Sequence, residues 1–436
     1  MTFQETSLQE GGFGGFGGFG GFGGFGGFGG FGGFGGFGGF GGFGGFGGIP
    51  SFDAPLVVNA LITNRDGIAG TWQQVTADIV ENCPEEEHYL ARLSPEVRRS
   101  IFVFELASRL GFTFQREGEC SGQARVWHLE VTPASSEGDP PAAAYKMLAT
   151  LVRPTMAIFK KQLDLVANYA DLRPDRAAEV IAQLSTPIEF LRSIAFINPS
   201  RTPYTIELLS MAQGLANLAE MRVKYALACK RPIEFSPQIQ PMILTPTHGT
   251  LPSGHATESF TLARVLWLLL RDAGVVPYDD AIWGRMFMRQ AARIAINRTV
   301  AGVHFPVDSE AGAILGLTLG AYFAGRCLGA TELKGWTFDG EQYPDERDFD
   351  WTQLYNPETH AQLEPGAWAD ETTTALDANA LQSAPLAWLW RQAKREWLDI
   401  RNICGSASGA MPSGGIGDEV PAGGSDSDDA SENGGV

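Results

Sequence analysis

Apolar residues recur at helical spacing through most of the chain. Ser94-Pro95-Glu96 reads as an N-cap, a proline at the first helical position and an acidic first turn. The segment that follows, VRRSIFVFELASRLGF, gathers its apolar residues on one face, and Gly111 suits its C-cap. A long helical region is predicted after Pro140-Pro141, with breaks at Pro154, Pro174 and Pro187. Thr205 to Lys230 predicts another helix. Pro232 stops it, because the residue before a proline is disfavoured in the α region. A proline-rich loop follows (Pro237, Pro241, Pro246, Pro252), and helices resume at about 254–272, 279–297 and 304–327. Ala384 to Arg401 predicts a last helix whose Trp388, Trp390 and Trp397 suit a core or an oligomer contact. Strand signals are sparse. Val126 to Val131 alternates enough for the edge of a hairpin. The expected fold is all-α.

Both ends differ in composition. From Gly11 to Gly48 the chain is only Gly and Phe, as repeated Phe-Gly-Gly. Ordering so many glycines is entropically costly, so disorder is expected. G-x-G-x-x-G matches inside such a repeat carry no meaning without a strand before and a helix after. The tract reads as an expanded repeat without a role of its own, with self-association through exposed Phe as the alternative. From Gly405 the chain is rich in Gly, Ser, Asp and Glu, and is also expected to be disordered. Three segments follow: a repeat at 1–50, a helical domain at 51–404 and an acidic tail at 405–436. The middle segment, roughly 350 residues, is ample for a sizeable core.

Charge and cysteine use exclude several classes. The net charge is −18, which repels phosphate backbones and argues against nucleic-acid binding. Five Cys lie far apart with no C-x-x-C pair, which fits neither a zinc site nor a disulfide framework and suggests a reducing compartment. The start, MTFQETSLQE, has no basic or apolar signal region. The longest strongly apolar uncharged run is Ala311 to Gly325, 15 residues between Glu310 and Arg326. A spanning helix needs about 18–20. The expectation is a cytoplasmic protein with no membrane span.

Three elements carry candidate chemistry. Lys224 and Arg231 are seven apart on one predicted helix, and two turns take ~7.2 residues, so both are expected on one face. Two cations there are costly to bury without an anion between them. In Leu251 to Glu258, LPSGHATE, Ser253 is a natural N-cap and Gly254 allows close approach to free backbone N–H groups. His255, beside such a cradle, is placed for acid/base work. In the third element, Asn297 to Asp308, Arg298 is a forked donor suited to phosphate-like oxygens. His304 and Asp308 are four apart, hence expected on one helix face, and the carboxylate can fix the imidazole tautomer and free the other nitrogen as nucleophile or metal ligand.

In order the three read K-x6-R-P, P-S-G-H and R-x5-H-x3-D. From Lys224 to Asp308 the chain resembles the superfamily of type 2 phosphatidic acid phosphatases, soluble bacterial acid phosphatases and vanadium-dependent haloperoxidases. That resemblance implies a helical bundle in which Lys224, Arg231 and Arg298 hold the oxygens of vanadate or phosphate. Ser253 would add a hydroxyl and Gly254 its N–H. His304 would be the metal ligand in a peroxidase, or the nucleophile that becomes phosphohistidine in a phosphatase. His255 would be the acid/base, and Asp308 would orient His304. Asn297 stands where the phosphatases usually have Ser. His248, seven residues before His255, resembles the second histidine of bromoperoxidase-type sites. With the long helical stretch before Lys224, these features favour a vanadate-loaded haloperoxidase acting on hydrogen peroxide and halide. The alternative is an acid phosphatase acting on phosphate esters with no cofactor. A homo-oligomer stays open. A scaffold on a retired enzyme fold, working through the repeat and the tail, is the reading from another class, and the intact set of candidate residues argues against it.

Overall fold

A computed structural model describes residues 55–74, 78, 87–117, 121–132, 140–276, 278–376 and 380–405. The Phe-Gly-Gly repeat and nearly all of the acidic tail lie outside the described residues. The helices of ten residues or more are α1 (Pro55–Ile68), α2 (Pro95–Ala107), α3 (Met156–Tyr169), α4 (Arg173–Ala182), α5 (Pro203–Leu227), α6 (Gly254–Ala273), α7 (Ala281–Val300), α8 (Pro306–Leu328) and α9 (Ala384–Gly405). One sheet contains β1 (Leu110–Glu117), β2 (Ser121–Thr132), β3 (Ala142–Val152), β4 (Glu332–Asp339) and β5 (Ala369–Ala375), side by side in that order. β3 and β4 are parallel and the other neighbours antiparallel.

The fold is therefore mixed α/β and not all-α, with 55% helix and 15% strand among the described residues. The clearest reversal is β3. Its sequence, AAAYKMLATLV, is rich in helix formers, yet it pairs with β2 on one edge and β4 on the other. Leu148, Ala149 and Leu151 are buried. Pairing on both edges and burial outweigh a helix preference worth at most ~0.7 kcal/mol per ordinary residue. The helix after Ser94 also ends earlier than expected, at Ala107, and Gly111 lies in β1 opposite Trp127. Val126 to Val131 belongs to β2, which is flanked by strands on both sides.

The central helices match the apolar periodicity. One contiguous apolar core runs from Leu90 to Trp397. Two packing features position the candidate residues. The first is α9, whose Trp388, Trp390 and Trp397 are all buried. Trp397 Nε1 donates to Thr205 Oγ1 at 3.0 Å, and the Glu396 carboxylate accepts from Tyr204 N at 2.7 Å and Thr205 N at 2.9 Å. A carboxylate on the free N–H groups of α5 satisfies donors the helix cannot satisfy itself.

The second is the seam between α6 and α8. A Cβ on Gly312 would lie 2.6 Å from Ser253 O, one on Gly316 would overlap Thr257 O, and one on Gly320 would lie 2.9 Å from Arg264 Cβ. Only glycine lets the two backbones come this close. α8 also revises the membrane expectation. At 23 residues it is long and apolar enough to cross a bilayer by length and composition alone, because the helix extends past Glu310 and Arg326. Of its apolar window, 83% is buried inside the protein.

Candidate active site

The three motifs meet where α5 ends, α6 begins and α8 begins. Lys224 sits in the last turn of α5 and is 1% exposed. Ala228 is left-handed (φ 48°) and ends that helix, so Arg231 lies beyond it, as N-cap of the short helix Pro232–Phe235. The two cations therefore do not share a helix face, contrary to the seven-residue spacing. They reach the same loop by different routes. Lys224 Nζ donates to the carbonyls of Gly249 (3.4 Å), Thr250 (3.3 Å) and Pro252. Burial lowers its pKa to about 8, with Glu220 opposing and Arg231 adding to the shift.

Arg231, 2% exposed, is almost saturated. Nε donates to His248 O at 3.1 Å, Nη1 to Val303 O at 2.8 Å, and Nη2 to Gly249 O at 3.3 Å and His248 Nδ1 at 3.1 Å. Nη1 also lies 3.0 Å from His304 Nε2. Arginine has only donors, so Nε2 must be the nitrogen with the lone pair, and the His304 proton sits on Nδ1. There it meets Asp308 Oδ2 at 3.1 Å and Thr250 Oγ1 at 3.1 Å, while Thr250 Oγ1 donates to Asp308 Oδ2 at 2.5 Å. Burial, then the charges of Arg231 and Lys224, keeps the His304 pKa well below its usual value.

The His304–Asp308 pair does not arise from one helix face. His304 precedes α8, whose N-cap is Phe305, and Asp308 is the third helical residue. Its Oδ2 also accepts from Phe305 N at 2.8 Å, so one carboxylate caps the helix and orients the imidazole. Asp308 Oδ1 is buried without a partner. Burial raises the carboxyl pKa to about 6 despite the Thr250 and Phe305 bonds.

The other side is held by the C-terminus of α4. Arg298, 1% exposed near the end of α7, donates through Nη2 to Val180 O (3.0 Å) and Gln183 Oε1 (3.1 Å). Its Nε and Nη1 are buried with no partner. Gln183 Oε1 also accepts from Asn297 Nδ2 at 2.9 Å, which gives the residue before Arg298 a structural task. His255, partly buried, donates Nε2–H to Gln183 O at 2.9 Å, leaving Nδ1 as its acceptor. Burial and then Arg298 push its pKa down to about 3. Ser253 is the N-cap of α6, but its side chain makes no capping bond and Oγ is buried unpartnered. Gly254 has a second constraint: a Cβ there would lie 2.5 Å from Glu220 Oε1.

Arg231, His248, His304 and Asp308 thus form one bonded cluster, Lys224 binds the loop beneath it, and Arg298 and His255 share Gln183. Thr250, Gln183 and Glu220 belong to the assembly and carry no spacing signal. Gln183 lies 115 residues from Arg298 and Thr250 lies 58 from Asp308, so only the fold joins them.

A model of the PAP2 superfamily, which covers vanadium haloperoxidase-type proteins, matches residues 204–326. Members of that superfamily are phosphatases or haloperoxidases. No curated protein matches the chain. The matched segment holds all three motifs but stops short of Gln183.

Proposed function

We propose that this chain is a vanadium-dependent haloperoxidase. The observation that carries the proposal is the His304 lone pair at Nε2, together with the unpaired, buried N–H groups of Arg298 in the third motif. Buried donors without partners are rare in folded proteins, and an anion that fills them removes the penalty. These residues fit a vanadate: His304 Nε2 would hold the metal, and Arg298, Ser253 Oγ and the start of α6 would hold its oxygens. Vanadate, when bound, supplies a Lewis acid that activates hydrogen peroxide without changing oxidation state.

The chain's own residues do the rest. Asp308 and Thr250 keep the His304 proton on Nδ1, so Nε2 stays available. Arg231 Nη1 caps that lone pair at 3.0 Å. His255 is neutral with Nδ1 open, so it can take a proton. Burial and then the Arg298 charge lower its pKa, so neutralising that guanidinium would ease the uptake. His248, bonded to Arg231, resembles the second histidine of bromoperoxidase-type sites, and that resemblance supports the peroxidase over the phosphatase.

The test is bromination of a phenolic dye by peroxide, with and without vanadate, beside hydrolysis of p-nitrophenyl phosphate on the same sample. Vanadate-dependent bromination is expected. Phosphate-ester hydrolysis that vanadate inhibits, with no bromination, would replace this reading with the phosphatase, since vanadate then only mimics a transition state.

A further inference from the structure

A second polar cavity lies at the other end of the α6–α8 seam. It encloses about 260 Å³, and its wall includes Arg264, Thr318, Lys334, Trp336, His360 and Glu371. Arg264 is ten residues beyond Gly254 on α6, and Thr318 ten beyond Asp308 on α8. At 1.5 Å per residue, each lies about 15 Å along its helix from the candidate active site.

Arg264 is the unusual member. It is 8% exposed, and no carboxylate bonds to it among the described residues. Nη1 donates to Leu317 O at 2.8 Å and Gln362 Oε1 at 3.1 Å, and Nη2 to His360 O at 3.2 Å. Nε is buried with no partner. The nearest acid in the wall, Glu371, is already paired with Lys334 at 3.1 Å. A buried guanidinium held by neutral oxygens and by the Tyr355 ring, 5.2 Å from its centroid, with no carboxylate bonded to it, is costly, because buried charges are ordinarily paired. Trp336, 2% exposed, adds an aromatic surface to the same wall.

We propose that this cavity binds a small organic carboxylate, with Arg264 as its counter-ion. A planar carboxylate matches the guanidinium fork, and the mixed apolar and polar wall suits a short organic body more than a bare inorganic ion. The proposal stands apart from the function assigned to His304, since the cavity shares no residue with that site.

The probe is benzoate, titrated by calorimetry into the full chain, with orthophosphate and chloride as parallel arms. Wild type is expected to bind one benzoate at millimolar affinity or better, and His304→Ala to bind it equally well. Arg264→Gln should weaken binding at least tenfold. Because that variant touches a buried residue, Thr359→Trp, which fills the exposed rim, serves as the second variant and should weaken binding similarly. No benzoate binding by wild type, or unchanged binding in a folded Arg264→Gln and in Thr359→Trp, would overturn the proposal. Binding of phosphate but not benzoate would overturn the carboxylate class. Loss of benzoate binding in His304→Ala would move the ligand to the other site and overturn it too.

Discussion

The two sides of the candidate active site are finished to different degrees. Around His304 nearly every polar atom is spent: Arg231 has five acceptors, Lys224 has three, and Asp308 Oδ2 takes three donors. Outside that cluster, two guanidinium nitrogens of Arg298 and the Ser253 hydroxyl are buried and idle. The first side is built to fix one tautomer of one imidazole. The second is built to receive something. Substitutions on the first side should therefore damage chemistry and metal affinity together, and those on the second should mainly weaken anion binding.

The largest effect is expected for His304→Ala, which removes the lone pair and should reduce bromination to background in a turnover assay. Asp308→Ala should come next. It leaves the ring but frees its tautomer, and outer-shell changes of this kind cost roughly 10–100-fold in affinity or activity. Vanadate titration of turnover checks it. Arg298→Ala should weaken vanadate by about 10–100-fold, the worth of hydrogen bonds to a charged group at 1.5–3 kcal/mol, with a smaller change in turnover at saturating vanadate. Equal losses of affinity and saturated turnover in Arg298→Ala would erase the contrast between the sides.

A buried acid outside the anion contacts offers a control. Burial raises the Glu310 pKa from 4.5 to about 7, with Arg347 and Trp368 opposing. A folded-state pKa above the unfolded value stabilises the protonated form. That contribution is present below about 4.5 and is lost as pH rises through 7. Wild type should therefore lose thermal stability between pH 4.5 and 7.5, and Glu310→Gln should lose less, measured by unfolding temperature at each pH. The smallest effect is expected for Ser253→Ala. It removes one neutral donor, costs about tenfold or less in vanadate affinity, and leaves stability unchanged or slightly raised because a buried unpaired hydroxyl is gone.

Sequence periodicity was sufficient for α5, α6, α7 and α8, because proline, glycine and apolar spacing agree there. It was insufficient for β3, whose alanines and leucines prefer helix and are overruled by strands on both edges. The motif residues were legible as types in a fixed order, yet their geometry was not. The seven-position offset between Lys224 and Arg231 suggested one helix face, and the left-handed Ala228 breaks it. The four-position offset between His304 and Asp308 suggested a helical pair, and the contact is made across a helix start instead. Thr250 and Gln183 were invisible because their partners are distant in sequence. Each bonds to motif residues only after the proline-rich loop and α4 have packed.

The central claim is that His304 Nε2, not the surrounding cations alone, holds the vanadate. Equilibrium dialysis of vanadate against wild type, His304→Ala and His255→Ala tests it most directly. The account predicts that His304→Ala loses most of the affinity, while His255→Ala keeps it and loses turnover by roughly 10²–10⁴-fold as a general acid/base should. A folded His304→Ala that binds vanadate as wild type does would contradict it.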